Sequence, residues 1–313
     1  MTGQTTELVL LVIAVASMSV LGTRMVRAIA HTRGWVAMPR EDRWHKVSTA
    51  LHGGCGFYPA FLMGALWVAL PHVLAAWNPT KSPAHAVHEY VLLGALLLGS
   101  CIMFLVGLWD DVKHFRPTTK LVAQLGAASL FIWAGGVFPL TGSQVLDILV
   151  TYFWFIGIMN AVNMLDNMDG LASGVVIIAG GTLLALTLGA RTSVEAYPVG
   201  LPLAAVLVAS LLGFWWHNRP PATIFMGDSG SLFLGYVLAA LAIPSSLNEH
   251  LGIQKGEMFL GPVFALLIPA TVLAVPIFDT TLVTITRKWR AQKASQGGRD
   301  HSSHRLVGLG LPE

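Results

Sequence analysis

Charge is what this chain has least of. Its 313 residues include 19 Lys and Arg and 16 Asp and Glu, so 11% are charged, where a soluble domain carries about 25%. So little charge cannot cover the surface of a water-soluble globule. It excludes a disordered chain and a cytosolic enzyme. Cysteine is scarce too. Cys55 and Cys101 are the two present, which excludes a secreted disulfide scaffold; both lie in or beside apolar runs and read as small apolar packers. No internal repeat of the inverted-transporter kind is visible, and the loops are too short for an inserted soluble domain. What is abundant is apolar: 54% of residues are hydrophobic and the mean hydropathy is +0.66. This is the composition of a protein dissolved in a bilayer.

A spanning helix needs about 20 predominantly apolar residues. No Asp, Glu, Lys or Arg interrupts 90–109, 121–146, 148–165, 170–190, 196–218, 229–248 or 258–278. With an amino-terminal run and one over 47–80, the pattern predicts nine spans, near 8–30, 54–71, 90–109, 120–138, 147–164, 171–190, 197–216, 229–246 and 258–278. The expected fold is an all-α, polytopic transmembrane bundle forming one integral membrane domain over 1–313. No basic segment precedes the first span, and Arg24 and Arg27 follow it. That marks a retained anchor rather than a cleaved signal peptide.

The basic residues set the orientation. With the amino terminus outside, 16 of the 19 Lys and Arg fall on alternate inner loops, and Lys81, Arg191 and Lys255 fall outside. Lys and Arg accumulate on the cytoplasmic side, so the expected location is the cell (inner or plasma) membrane with the working face toward the cytoplasm. The formal charge of +3 is then a topological signal, and no nucleic-acid partner is needed to explain it.

The same parity gathers acids. Asp110 and Asp111 follow the third span, Asp166 and Asp169 the fifth, Asp228 the seventh and Asp279 the ninth, all on that face. Crowded carboxylates call for a proton or a cation, and hard oxygen ligands suit Mg²⁺. In GLWDDVKHFRPTTK (107–120), two acids stand beside Lys113, Arg116 and Lys120. That is an unusual way to end a span if it were only a solvated loop. In NAVNMLDNMDGLASG (160–174), Asn160, Asn163, Asp166 and Asp169 recur at spacing three and share a helix face. The bland alternative is interhelical hydrogen-bond glue, but polar groups in a span are costly and usually functional. In HNRPPATIFMGDSGSLFLG (217–235), Gly227–Ser231 offers backbone N–H groups at a helix start, a seat for phosphate or metal; Asp228 or Ser229 as a plain N-cap is the bland reading. The basic carboxy-terminal stretch holds His301 and His304. A pair at this spacing suits Zn²⁺, but no acid or Cys at metalloprotease spacing accompanies it, so phosphate or pyrophosphate contact with Arg299 and Arg305 is the preferred reading. Together these features suit metal-assisted phosphoryl chemistry between a water-soluble substrate and an acceptor in the membrane. A transporter or proton relay is the rival, disfavoured because its acids belong near the midplane. A CDP-alcohol phosphotransferase is a second, disfavoured because 171–194 contains no acid.

GLWDDVKHFRPTTKLVAQ, NAVNMLDNMDGLASG, FMGDSGSLFLG, RDHSSHRL and the early RWHKVSTALHGG, in that order over roughly 35–310, resemble the polyprenyl-phosphate N-acetylhexosamine-1-phosphate transferases. The resemblance implies transfer of a sugar 1-phosphate from a UDP-amino sugar to polyprenyl phosphate, dependent on Mg²⁺ (with Mn²⁺ as substitute) and releasing UMP. It implies that Asp110 and Asp111 are a catalytic pair, one of them the base, that also serve the metal. Lys120 would hold the lipid phosphate. Asn160, Asn163, Asp166 and Asp169 would surround nucleotide and metal, Asp166 and Asp169 as catalytic acids, and Asp228 would bind Mg²⁺. His301, His304 and Arg305 would contact the pyrophosphate, and His45 matches the early histidine, without an assigned role. A homodimer is one assembly left open. The late motif lacks the three-histidine run of the phospho-MurNAc-pentapeptide branch, which favours a simple donor such as UDP-GlcNAc. Asn167 stands where the family more often has Gly, and tolerates the same left-handed turn. The chain stops eight residues after Arg305, where family members continue into further spans, so truncation and a natural short form are both open.

Overall fold

The computed structural model describes residues 3–38, 48–76, 84–189, 200–243, 267–290 and 301–309. Its helices are α1 (Gly3–Arg33), α2 (Gly54–Ala76), α3 (Ala84–Lys113), α4 (Pro117–Trp133), α5 (Gln144–Leu165), α6 (Leu171–Gly189), α7 (Gly200–Asn218), α8 (Asp228–Leu241), α9 (Ala274–Trp289) and α10 (Ser302–Gly308). The only strands among the described residues are β1 (Val36–Ala37) and β2 (Thr49–Ala50), an antiparallel pair. The chain is an all-α, multi-pass membrane protein. Five described helices are long and apolar enough to cross a bilayer: α1, α2, α3, α5 and α7. Large apolar side chains face outward, among them Leu21, Val122, Phe153 and Ile178, as expected where hydrocarbon is the solvent.

Helix α8 is the axis. Every residue from Ser229 to Ala240 is buried, the mark of a helix hydrophobic all round. It packs against α3 and α5 and touches α2 and α6. Small residues allow the approach: a Cβ on Gly235 would meet Met159 Cα of α5 at 2.6 Å, and one on Gly107 of α3 would collide with the Asp228 carbonyl. Polar ties fix the rotation. Trp154 Nε1 donates to Ala239 O at 3.1 Å, and Tyr236 donates to Ala95 O at 3.1 Å.

Several expected spans are redrawn. The run 120–138 breaks at Trp133, where Gly135 takes φ +92° and Gly136 folds under the Phe131 ring. The segment that follows is pinned by Asp147, whose carboxylate accepts from Leu140 N, Thr141 N and Thr141 Oγ1. Helix α8 has 14 residues, about 21 Å at 1.5 Å per residue, too short to span alone. Of the ninth expected span, 258–266 lies outside the described residues. Asp279 is not at the end of that span; it sits inside α9, which is not among the five spanning helices. His45 and Arg299 lie outside the described residues.

Candidate active site

The ends of four helices meet at one place. Asp110 and Asp111 occupy the last turn of α3, Lys120 the first turn of α4, Asn163 the last turn of α5 and Asp228 the first residue of α8. Lys120 Nζ bridges two carboxylates, donating to Asp228 Oδ2 at 2.5 Å and pairing with Asp110 Oδ2. The other Asp110 oxygen accepts the Phe115 N–H. Asn163 Nδ2 donates to Asp228 Oδ1 at 2.9 Å and to Ser231 Oγ at 2.8 Å.

The start of α8 is the anion seat read from the sequence, but its occupant is the protein's own Asp111. Asp111 Oδ1 accepts from Asp228 N at 2.7 Å and Oδ2 from Ser229 N at 3.1 Å. Neither Asp228 nor Ser229 caps the helix with its side chain; the cap residue is Gly227, at φ +75° and ψ 174°. That backbone region is essentially glycine-only. A Cβ there would also meet Asp111 Oδ2 at 2.7 Å. The segment before it is held by backbone bonds: Phe225 N donates to Ala50 O, and Gly53 N and Gly54 N donate to Phe225 O and Met226 O. His52, at φ +64°, brings Nδ1 to 3.7 Å from Asp111 Oδ2.

Asp166 caps α5 and faces the same cluster. Burial, and then the charges of Asp228 and Asp111, push its carboxyl up to about 7, against the opposing pull of a hydrogen bond from Gly227 N–H. Four carboxylates thus face one lysine. Among the described residues no three His, Cys, Asp or Glu side chains form a ready-made metal cage. The expected ligands Asp110, Asp111 and Asp228 are instead engaged by Lys120 and backbone N–H groups. The donor set nonetheless fits a hard cation: oxygen ligands with negative charge in excess, one of them raised to about 7 by burial and by its neighbours.

Two expected site residues face elsewhere. Asn160 donates to Gln124 Oε1 of α4 at 3.1 Å and to Ile156 O at 2.7 Å, so it ties α5 to α4. Asp169 accepts the Ala222 N–H at 2.8 Å and anchors the 219–223 loop. Spacing three puts these residues on one face without saying which neighbour that face meets. The carboxy-terminal motif is built separately on α9. Asp279, 1% exposed, accepts from Ser302 N and Ser302 Oγ and lies 2.7 Å from His301 Nδ1. Burial alone would raise its carboxyl; the bonds from His301 and Ser302 hold it down at about 2. An ionised Asp279 keeps the proton on His301 Nδ1 and makes Nε2 the nitrogen available to a ligand. The rings of His301 and His304 meet edge to face at 6.1 Å, and Arg305 follows one residue on in α10. Ser303 Oγ donates to Asn167 Oδ1 at 3.2 Å, which docks this motif on the loop carrying Asp166. Sequence reading passed over Ser231, two residues beyond the Ser229 it weighed, and Asp279 as the partner of His301. It noted His52 only as part of a His-Gly-Gly run.

The sequence profile of glycosyl transferase family 4 matches residues 93–246. The chain is 31% identical over 299 positions to a probable undecaprenyl-phosphate N-acetylglucosaminyl 1-phosphate transferase of Bacillus subtilis (strain 168), covering 92% of this chain and 74% of that one. It is 32% identical over 326 positions to the decaprenyl-phosphate N-acetylglucosaminephosphotransferase of Mycobacterium tuberculosis (strain ATCC 25618 / H37Rv), covering 97% and 76%. A phospho-N-acetylmuramoyl-pentapeptide-transferase of Limosilactobacillus reuteri (strain DSM 20016) is 32% identical over 257 positions, covering 76% and 72%.

Proposed function

The chain belongs to glycosyl transferase family 4, and on that premise we propose that it transfers N-acetylglucosamine 1-phosphate from a UDP-sugar to polyprenyl phosphate. The products are polyprenyl-pyrophosphate-sugar and UMP, and the reaction is the first membrane step of a cell-envelope polysaccharide. The observation that carries this reading is the junction of Asp110, Asp111, Lys120, Asn163, Asp166 and Asp228 at four helix ends. The relatives named for N-acetylglucosamine transfer cover more of this chain than the one named for the muramoyl pentapeptide, which favours the simpler donor.

An oxygen of the acceptor phosphate attacks the β-phosphorus of the donor. The bond from that phosphorus to the bridging oxygen breaks, and UMP leaves with that oxygen. Lys120 is the cation an incoming acceptor phosphate meets, held in place by Asp110 and Asp228. One of Asp110 and Asp111 is assigned as the base that takes the acceptor's proton; Asp110 is held by Lys120 and the Phe115 N–H, Asp111 by the N–H groups of α8. Asn163 orients Asp228. His301 presents Nε2 toward the pyrophosphate, with Arg305 as the accompanying charge. Asp228, Asp110 and Asp111, with Asp166 beside them, would hold Mg²⁺ on leaving their present partners, and the ion would supply charge neutralisation for the pyrophosphate and the departing UMP. The site faces the cytoplasm in a nine-span topology, a reading supported by the 16-to-3 division of basic residues.

The test is a labelled-donor assay with polyprenyl phosphate and a panel of UDP-sugars, scored for UMP and for lipid product. UDP-GlcNAc is expected to give both. Product only from the muramoyl-pentapeptide donor would reassign the substrate, and product from none would remove the function. Activity is expected to vanish in EDTA and return with Mg²⁺ or Mn²⁺; turnover that persists in chelator would take the metal out of the mechanism.

A further inference from the structure

A second polar cleft lies at the ends of α1 and α7, lined among others by Arg27, Trp216, His217, Arg219 and Thr223, with a volume of about 480 Å³. That is room for a headgroup-sized ligand. The 219–223 loop forms one wall of it. On one side Ala222 N donates to Asp169; on the other, the next residue, Thr223, accepts from Arg27 Nη1 through Oγ1 at 3.2 Å. Thr223 Oγ1 in turn donates to His217 O. Arg219 is stacked on Trp216, its guanidinium carbon 4.1 Å from the ring centre. The buried Nε2 of His217 has no hydrogen-bond partner. None of the residues lining the cleft is acidic.

Cations that serve topology alone need only reach water. Here two guanidiniums are each fixed, one by a hydroxyl and one by an indole face, around a cavity that offers donors and no counter-charge. Guanidinium forks of this kind match phosphate oxygens. The mouth of the cleft is greasy. On α7, Leu212 lies one turn before the cleft-lining Trp216, and both are exposed. An indole at the end of a span, beside arginines, is placed at headgroup depth. We infer that this cleft binds the phosphate of an anionic phospholipid, with Arg27 and Arg219 on the phosphate oxygens and the acyl chains lying along α7. The site shares no residue with the proposed reaction and does not depend on it.

Native mass spectrometry of the full chain, purified in detergent, tests this with phosphatidylglycerol, phosphatidylcholine and glycerol 3-phosphate as probes. Wild type is expected to retain phosphatidylglycerol in preference to phosphatidylcholine and to ignore glycerol 3-phosphate. Arg219→Gln is expected to weaken that retention about fivefold and Arg27→Gln/Arg219→Gln about thirtyfold. Lys288→Gln/Arg290→Gln, which removes two cations elsewhere, is expected to leave it unchanged. Arg219 is exposed and only stacks on Trp216, so its single variant decides the matter even if the double variant does not fold. Equal retention by wild type and Arg219→Gln would overturn the site. Glycerol 3-phosphate binding as tightly as phosphatidylglycerol would overturn its assignment to a lipid.

Discussion

Asp166 and Gly227 show how single residues set the chemistry. The Asp166 carboxyl is raised from the ordinary carboxylate range to about 7. A raised folded-state pKa means that ionisation opposes folding, so its contribution to stability is full below about pH 4 and is lost as pH rises through about 7. The thermal unfolding midpoint in EDTA should therefore fall between pH 5 and pH 8, and fall less in Asp166→Asn. Equal slopes in the two proteins would show that Asp166 is not the group titrating. Gly227 is constrained in two ways, by a backbone angle that side chains avoid and by the Asp111 carboxylate where its Cβ would stand. Gly227→Ala should cost about 1–3 kcal/mol and lower transfer at least about tenfold, because Asp111 must move off the α8 N–H groups. Thermal unfolding and the labelled-donor assay check both, and an unaffected variant would contradict this account. Residues at this scale were only half legible. Asp110, Asp111, Asp166 and Asp228 stood out because an acid at the end of an apolar run is rarely incidental. That Asp111 would fill the anion seat was hidden, because its partners lie 117 and 118 positions away. Asn160 and Asp169 looked equivalent to Asn163 and Asp166 by periodicity, yet they face Gln124 and Ala222.

Among the elements, α9 reverses the usual helix. Asp279 and Arg287 are buried while Phe278 and Trp289 are exposed, Trp289 at 86%. Such an arrangement makes sense where the exterior is lipid and the interior is the polar place. The ionised Asp279 carboxylate fixes the His301 tautomer and ties down the start of α10. Asp279→Asn should leave the fold in place and reduce kcat about 10- to 100-fold, with a shifted acid limb in the pH profile. A purely structural role would lower the melting temperature without moving that limb. Element boundaries were legible where a glycine turn closed an apolar run, as at Gly170 before α6, whereas α3 runs past the expected 109 to Lys113. They failed for 120–138, because Gly135 breaks a stretch whose hydropathy continues unbroken.

For the whole molecule, the acids of α3, α5 and α8 share one end of the bundle, as alternating spans require. Cysteines engineered within 112–116 and 300–304 should react with an impermeant reagent from the cytoplasmic side only. Labelling from the opposite side would invert the topology. Overall class was the most legible level, because scarcity of charge and the length of apolar runs are properties of a bilayer rather than of any particular packing. The number of crossings was less so, since a 14-residue helix such as α8 is apolar enough to be counted and too short to be independent.

That central helix has a consequence for biogenesis. Chains are made from the amino terminus, so the residues of α1 to α7 are all made before residue 228 exists. Until then Asp110, Asp111 and Asn163 have none of the α8 partners that hold them in the finished protein, and the groove that α8 will fill lies between helices already made. The half-built chain therefore lacks the α8 side of the candidate site, which is completed only when α8 packs in. The histidine motif, later still in the chain, is added last.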